Sequence, residues 1–171
     1  MSINWSFERL YHTILNVREI NESIAFYEML GFKVISDRRE TIWPKGSGKA
    51  FAITPDTRGR AVLMVLPNDA DGPMLDLIEW VVPKQSFPAH DPNVVPRILA
   101  FRVKNVRAAY EDLKAKGVKF TTEELMVTPE TGVIGACCCF DPSGNIVEMI
   151  ELEPGLRHSR IKEAYTPSGK P

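Results

Sequence analysis

The hydrophobic and polar positions near the start of the chain follow a strand pattern and then a helix pattern. The segment LYHTILNV, residues 10–17, is rich in aliphatic and β-branched side chains, which predicts a strand. The next segment, NESIAFYEMLGF, is amphipathic with helical spacing, with Asn21 as its N-cap and Gly31 as its C-terminal stop. Four strand-like runs separated by Gly, Pro and Asp turns follow: FKVISDRRE, KAFAITPD, RAVLMVLP and MLDLIEWVVP.

The second half of the chain repeats this plan. INESIAFYEMLGFKV, from Ile20, realigns without gaps on VRAAYEDLKAKGVKF, from Val106, at an offset of 86 residues (106 − 20). DGPMLDLIEW realigns on SGNIVEMIEL at an offset of 72 (143 − 71). The second helix has Asn105 as its cap and Gly117 as its stop, and it lies between the strand RILAFRV and the runs VKFTTEEL, GVIGACCCF and NIVEMIEL. The pattern predicts an α+β fold built from two tandem βαβββ modules.

The boundaries of the modules follow from the proline content. The segment VVPKQSFPAHDPNVVP holds four of the thirteen prolines and has neither helical nor strand periodicity, which is typical of a linker. We therefore expect a first module at residues 1–84, a linker at 85–95, a second module at 96–154 and a C-terminal tail at 155–171, with the two modules forming one domain.

Composition excludes several classes of function. A net charge of −1 and dispersed basic residues argue against nucleic acid as a partner. No apolar run is long enough for a membrane span, and the N-terminal residues lack the pattern of a secretory signal, so we expect a cytoplasmic protein with no membrane partner. The three cysteines are consecutive, Cys137 to Cys139, and neighbours in a strand point to opposite faces, which argues against a disulfide or a metal knuckle.

The duplication also pairs candidate functional residues. Adding 72 to Asp76 gives Glu148, so each copy places a carboxylate in the middle of its final strand. Adding 86 to His12 gives Ile98, so the second copy lacks the histidine. Strand alternation puts Asp76 and Glu79 on opposite faces, and only one of the two can point toward a site. Residues at equivalent positions of two copies are expected to face each other.

These residues lie in motifs that resemble the vicinal oxygen chelate superfamily, which includes glyoxalase I, extradiol dioxygenases, fosfomycin-resistance transferases and bleomycin-binding proteins. The motifs are YHTILNV, SIAFYEMLGFKV, DLIEW, RVKNVRAAYEDLKAKGVKF and FDPSGNIVEMIE, and they cover nearly the whole chain. The resemblance implies that the paired modules curl their mixed sheets into a cup. It also implies a homodimer and a metal bound by His12, Asp76 and Glu148, with Ile98 where many members have a second histidine.

One histidine and two carboxylates form a hard ligand set, and the resemblance implies a divalent metal such as Mn, Zn, Ni or Fe(II). The implied function is metal-assisted proton transfer on a small carbonyl-containing molecule, by a lyase or isomerase with Glu148 as the base. A ring-cleaving dioxygenase of the facial-triad type uses two histidines and one carboxylate, which makes it a second alternative.

A positive charge could also come from the protein itself. Arg102 lies four residues beyond Ile98 on the same strand face, and its counterpart in the first copy is Asn16 (102 − 86), so these three residues are candidates for substrate binding. The first alternative function is a non-catalytic protein that sequesters a small molecule, with Trp43, Trp80 and Phe101 as wall residues.

Overall fold

The computed structural model of the chain describes residues 10–69, 72–86, 91–94 and 96–155. It divides the chain into two compact units. The first consists of Met1–Val94 with Asp141–Asn145, and the second of Val95–Phe140 with Ile146–Pro171. Residues 87–90 and 95 of the predicted linker and the predicted tail beyond residue 155 lie outside the described residues.

The first unit contains one helix and one four-stranded mixed sheet. Its elements are β1 (His12–Val17), α1 (Ile20–Met29), β2 (Lys33–Asp37), β3 (Arg58–Val65) and β4 (Met74–Val82). The strand order is β1-β4-β3-β2, with β1 parallel to β4 and the other pairs antiparallel. The parallel pair is possible because α1 and two further strands separate β1 from β4 along the chain.

The two faces of this sheet have different roles. Val17, Val62 and Leu77 are fully buried on the face that α1 covers. On the opposite face, which we call the open face, Ile14 pairs with Asp76, Asp76 with Leu63, and Leu63 with Ser36. Since Cα partners in neighbouring strands point the same way, these four side chains form one row across the sheet.

The second unit repeats the topology of the first. Its elements are β5 (Ile98–Arg102), α2 (Val106–Ala115), β6 (Met126–Thr128), β7 (Val133–Phe140) and β8 (Ile146–Leu152), with strand order β5-β8-β7-β6. On the open face of this sheet, Ala100 pairs with Glu148 and Glu148 with Cys138. The α+β class with two tandem modules is therefore confirmed.

The register supports the duplication at single-residue level. His12 lies two residues before Ile14, the β1 partner of Asp76. Ile98 lies two residues before Ala100, the β5 partner of Glu148. The pairs that the sequence offsets matched therefore occupy equivalent positions within their own sheets.

Two of the predicted strands are wrong. The run KAFAITPD forms no strand; its first residues end a 3-10 helix at Ser47–Phe51. Left-handed backbone at Gly46 and Ala52 brackets this turn, and a Cβ on Gly48 would lie 2.2 Å from the Thr54 carbonyl oxygen, so the chain here is a compact turn and not an extended segment. The run VKFTTEEL contributes only an isolated bridge at Phe120, and the edge strand β6 begins after it.

Helix ends follow the sequence predictions at three of four positions. The Asn105 side chain accepts a hydrogen bond from the Ala108 backbone N–H at 3.0 Å, and Gly31 and Gly117 adopt the positive φ values of helix stops, 97° and 85°. Asn21 is not the cap of α1, because the helix already begins at Ile20 after Glu19. The Glu79 carboxylate of β4 instead accepts the Ile20 N–H, at 3.2 Å.

The first unit also includes the 141–145 turn, the residues Asp141–Asn145 between β7 and β8. Asp141 is buried, and its carboxylate accepts hydrogen bonds from the Tyr27 hydroxyl at 3.1 Å, from the Ser143 and Asn145 backbone N–H groups at 2.8 Å, and from the Asn145 side-chain amide at 2.8 Å. The Arg18 backbone N–H donates to Ser143 Oγ at 2.9 Å. The turn is thus bonded to the residue that follows β1, to α1 and to its own backbone.

None of the three cysteines forms a disulfide within the described residues. Cys137 and Cys139 are fully buried, while Cys138 is half-buried on the open face. Burial raises the pKa of Cys137 to about 11, with smaller contributions from Cys138 and Glu148. No helix in the described part of the chain has the length and apolar character needed to cross a bilayer.

Candidate functional site

A cavity of about 240 Å³ lies on the open face of the first unit. It is lined by Tyr11, His12, Ser36, Arg38, Trp43, Ala61, Leu63 and Asp76. Its size is below the range typical of sites for drug-sized ligands, so it suits a smaller compound. The lining combines ionisable groups with an apolar floor, which is the composition of a binding site for a small polar molecule.

The sheet register places most of these side chains. Asp76, Leu63 and Ser36 lie in the same row on β4, β3 and β2. His12 is at the start of β1, two residues before the strand position that pairs with Asp76. The two ionisable residues that the sequence predicted for the first copy therefore line one cavity on one face of one sheet.

His12 contributes a ring nitrogen that forms no hydrogen bond with the described residues. Its Nδ1 is buried and has no hydrogen-bond partner among the described residues. The ring of Tyr11 lies 5.2 Å from the His12 ring, tilted by 50°, and restricts where the imidazole can turn. A buried polar atom without a partner costs free energy, so an unused ring nitrogen at a cavity wall is consistent with a ligand or proton-transfer role.

Asp76 is the half-buried carboxyl group of the cavity. Burial raises the pKa of Asp76 above its ordinary value, and the charge of His12 partly offsets the effect. No salt bridge joins Asp76 to a basic side chain within the described residues. A carboxyl group with a raised pKa beside an imidazole is a suitable group for taking up and returning a proton.

An aromatic cluster forms one wall. Trp43 stacks on Phe51 with ring centroids 5.6 Å apart and 8° between planes, and it meets the edge of Trp80 at 5.5 Å. The Trp80 indole N–H donates to Asn16 Oδ1 at 2.8 Å. Trp43 lines the cavity directly, whereas Trp80 is buried behind it. Asn16, which the sequence predicted to bind substrate, instead accepts the hydrogen bond from Trp80.

Sequence reasoning missed three polar residues of the cavity, namely Tyr11, Ser36 and Arg38. Ser36 and Arg38 come from β2 and the residue just after it, which the strand order places two strands away from Asp76. A bulge between Val34 and Ser36 sets which β2 residues face the cavity. The alternation in FKVISDRRE was the available signal, but the bulge shifts the register that this alternation would give.

The remaining predicted residues lie in the second unit. Glu148 is half-buried in the middle of β8, with Ala100 and Cys138 as its neighbours across the sheet. Burial and, to a lesser degree, the charge of Glu148 raise the pKa of Cys138. Ile98 is 51% exposed, and Arg102 is exposed at the end of β5.

Two of the three predicted metal ligands lie in the first unit, and the third, Glu148, lies in the second. In the first unit, His12 and Asp76 offer two donors at the cavity wall. Within the described ranges, no group of three or more His, Cys, Asp or Glu side chains is arranged to hold a metal ion. The set of His12, Asp76 and Glu148 stays a prediction from the resemblance, and we assign no reaction step to a metal.

One protein-family model matches most of the chain. The model of the Glyoxalase/Bleomycin resistance protein/Dioxygenase superfamily matches residues 9–149. No curated protein sequence matches the chain significantly.

Solved structures share the fold at low sequence identity. A glyoxalase family protein from Bacillus cereus is 15% identical, with a TM-score of 0.72 over 89% of this chain and 99% of that one. The trypanothione-dependent glyoxalase I of Leishmania major is 19% identical, with a TM-score of 0.56 over 92% and 93%. The fosfomycin resistance protein FosX of Listeria monocytogenes, solved with Mn(II) and a dihydroxypropylphosphonic acid, is 15% identical, with a TM-score of 0.58 over 91% and 99%.

Proposed function

This chain belongs to the Glyoxalase/Bleomycin resistance protein/Dioxygenase superfamily, and from this membership and its cavity we propose that it is an enzyme that transfers a proton on a small carbonyl-containing molecule. The substrate would bind in the cavity of the first unit. The reaction would be of the lyase or isomerase type, as several members of the superfamily are enzymes of this kind.

The observation that carries the proposal is the pairing of His12 and Asp76 at one cavity wall. Asp76 has a raised pKa because it is partly buried, which makes its carboxylate a better proton acceptor than an exposed aspartate. His12 has a buried Nδ1 that no other described residue engages. Because His12 also lines the cavity, its imidazole is placed to donate to, or accept from, a substrate oxygen while Asp76 moves a proton at the neighbouring carbon.

Deuterium exchange tests this proposal without knowledge of the product. The protein is incubated in D₂O with pyruvate, which is a 2-oxo acid, or with acetoin, which is a 2-hydroxy ketone. NMR then follows the loss of carbon-bound protons next to the carbonyl. We expect the protein to accelerate exchange of at least one of them. Asp76→Asn and His12→Ala should each lower the rate about 100-fold or more, the usual contribution of a general acid or base.

The matched control is Asp56→Asn. Asp56 belongs to the same unit but is exposed, and among the described residues it pairs with Lys45, at 3.2 Å. Its loss should leave exchange unchanged. Equal exchange by wild type and Asp76→Asn would contradict the assignment of the proton transfer to this cavity.

Metal binding and the role of Glu148 remain predictions from the resemblance. They are tested by titrating Mn(II), Zn(II), Ni(II) and Fe(II) into chelator-treated wild type, His12→Ala and Glu148→Gln. Near-stoichiometric binding that both variants lose would support His12, Asp76 and Glu148 as one ligand set. Unchanged exchange by Glu148→Gln would remove that residue as the base.

A sequestering protein is the second candidate, and the aromatic wall favours it. Trp43 presents a ring face backed by Phe51 and Trp80, which suits tight binding of a flat apolar group without turnover. Compounds that bind in the cavity and never exchange would support this reading.

A further inference from the structure

Arg38 places a cation at the wall of the cavity. Its backbone N–H donates to the Ala61 carbonyl at 3.1 Å, which fixes the residue at the end of β2. Its guanidinium, however, has no hydrogen bond or ion pair among the described residues, although it lines the cavity.

Neighbouring arginines show the contrast. The Arg39 guanidinium bonds Asp37 with Nε at 3.0 Å and Asn21 with Nη1 at 2.8 Å. Arg60 donates to the buried Glu79 carboxylate at 2.8 Å and 3.0 Å. Both are engaged by the protein itself, so only Arg38 of these three presents a free donor fork to a ligand.

Ser36 adds a hydroxyl beside it. Ser36 lies two positions before Arg38, so their side chains leave the same face of the sheet, and both line the cavity. The Ser36 hydroxyl has no hydrogen-bond partner among the described residues. A guanidinium with a hydroxyl next to it is a suitable receptor for a carboxylate.

We propose that Arg38 and Ser36 bind the carboxylate of a small 2-oxo or 2-hydroxy acid, whose carbon skeleton lies against Trp43 and whose reacting carbon points toward His12 and Asp76. This inference rests on the proposed function of the same cavity and specifies the substrate class. Ser36 and Asp76 are separated by two strand spacings, about 10 Å at the backbone. That separation keeps the ligand's carboxylate away from the carboxylate of Asp76.

The cavity disfavours larger anions. One arginine and one hydroxyl match a single carboxylate, whereas a di- or triphosphate requires more positive charge. At about 240 Å³ the cavity is also smaller than the sites that take drug-sized molecules, and a nucleotide is of that size.

Binding of benzoylformate tests the inference separately from catalysis. This 2-oxo acid has a carboxylate, an adjacent carbonyl and a phenyl ring, but no carbon-bound proton next to the carbonyl, so it cannot undergo the proposed proton transfer. Its methyl ester keeps the carbonyl and the phenyl ring but carries no charge, so it serves as the neutral comparison. Affinities are measured by isothermal titration of wild type, Arg38→Met, Arg38→Lys and the control Arg39→Met.

We expect wild type to bind benzoylformate at least about tenfold more tightly than its methyl ester, because a charge-assisted hydrogen bond is lost in the ester. Arg38→Met should remove this preference. Arg38→Lys should keep part of it, since lysine retains the charge and loses the planar fork. Arg39→Met should bind like wild type.

Equal affinity for acid and ester in wild type, or an unchanged preference in Arg38→Met, would overturn the inference. The result is separate from that of the exchange experiment. Carboxylate binding through Arg38 without deuterium exchange on any substrate would contradict the proposed function and support the carboxylate-binding role of Arg38. Exchange on neutral ketones with no preference for acids would contradict only the proposed carboxylate binding by Arg38 and Ser36.

Discussion

The carboxyl group of Asp76 lies in the middle of β4, between Ile14 and Leu63 of the neighbouring strands. An apolar residue would pack better between these two side chains. Burial disfavours the charged form of Asp76 and raises its pKa, and the charge of His12 offsets only part of this effect. The protein therefore keeps a carboxylate at a position where it lowers the stability of the fold, which is a common property of functional residues.

Asp76→Asn is expected to raise stability at neutral pH while it lowers the proposed exchange rate about 100-fold or more. Below the ordinary aspartate value of 3.8 the carboxyl is protonated in both folded and unfolded chains and has no electrostatic cost. As the pH rises from there through the raised pKa of the folded state, the unfolded chain ionises more readily and the folded protein loses stability. Thermal melts should show a Tm gain of less than about 4 °C at pH 7, because the group is only half-buried.

The pH dependence is the control for that prediction. The difference between wild type and Asp76→Asn should disappear as the pH falls toward 3.8. A lower Tm of Asp76→Asn at pH 7 would show that the carboxylate stabilises the fold, contrary to its environment.

The cysteines should react unequally. Cys137 has a pKa of about 11, so at pH 8 about one in a thousand of its thiols is ionised, and its side chain is fully buried. Cys139 is equally buried, and only Cys138 reaches the open face. We expect a disulfide reagent at pH 8 to modify at most one thiol per folded chain, and slowly.

Cys138→Ser should remove this labelling, and denaturant should expose three thiols in wild type. Rapid modification of two or more thiols in the folded protein would contradict the alternation of the β7 side chains.

At the scale of elements, each helix starts at a carboxylate from the final strand of its own sheet. Glu79 of β4 accepts the Ile20 N–H, and Glu151 of β8 accepts the N–H groups of Asn105 and Val106 at 3.0 and 2.8 Å. The two glutamates are related by the same offset of 72 residues (151 − 79) that relates Asp76 to Glu148. Each final strand thus presents one carboxylate to the open face and one to the helix.

Glu79→Gln is expected to destabilise the protein by about 3 kcal/mol, measured by urea unfolding. Glu79 is 3% exposed and bonds both the helix start and Arg60, so its replacement leaves the guanidinium without its buried partner. Glu151→Gln should cost less, because Glu151 lies nearer to solvent and has no salt bridge in the described structure. Glu148→Gln, on the open face of β8, is the control and should change stability little.

The sequence predicted the fold to a greater depth than the site. Internal repetition identified both helices and the strands β1, β4, β5 and β8, and it related His12 to Ile98 because the flanking positions keep their hydrophobic patterns in both copies. The edges of the sheets were less predictable. The segment near Gly48 has a strand-like composition, but its backbone turns tightly against Thr54.

The cavity residues that the sequence did not predict also lie at the edge of a sheet. Arg38 and Ser36 reach the cavity only through antiparallel pairing of β2 with β3 and a bulge after Val34. A bulge depends on packing between strands that are distant in sequence, so linear periodicity does not reveal it. His12 and Asp76 could be predicted from the sequence because His12 lies in β1 and Asp76 in β4, and these strands carry the motifs YHTILNV and DLIEW.

At the scale of the whole chain, the first unit depends on residues from far along the sequence. Asp141 is 4% exposed and bonds the Tyr27 hydroxyl, 114 positions away. The same carboxylate accepts three further hydrogen bonds from the 141–145 turn. A buried carboxylate with four donors is stabilised by them collectively, because each donor offsets part of its desolvation.

Asp141→Ala is expected to lower the stability by at least about 3 kcal/mol, or about 10 °C in Tm, since several charge-assisted hydrogen bonds are lost together. Tyr27→Phe removes one of these donors and should cost about 1–2 kcal/mol. Asp37→Asn, at an exposed position of the same unit, is the control with little effect. Similar melting of Asp141→Ala and Asp37→Asn would contradict the structural role of the turn.

The 141–145 turn has a consequence for synthesis on the ribosome. Translation reaches residue 141 only 47 residues (141 − 94) after the last residue of the first continuous stretch has been made. At about 5–20 residues per second, this interval is roughly 2–9 s. During it, the nascent first sheet has its helix and strands but not the carboxylate that bonds the Tyr27 hydroxyl, so a chaperone that binds emerging chains would meet this half in an incompletely bonded form.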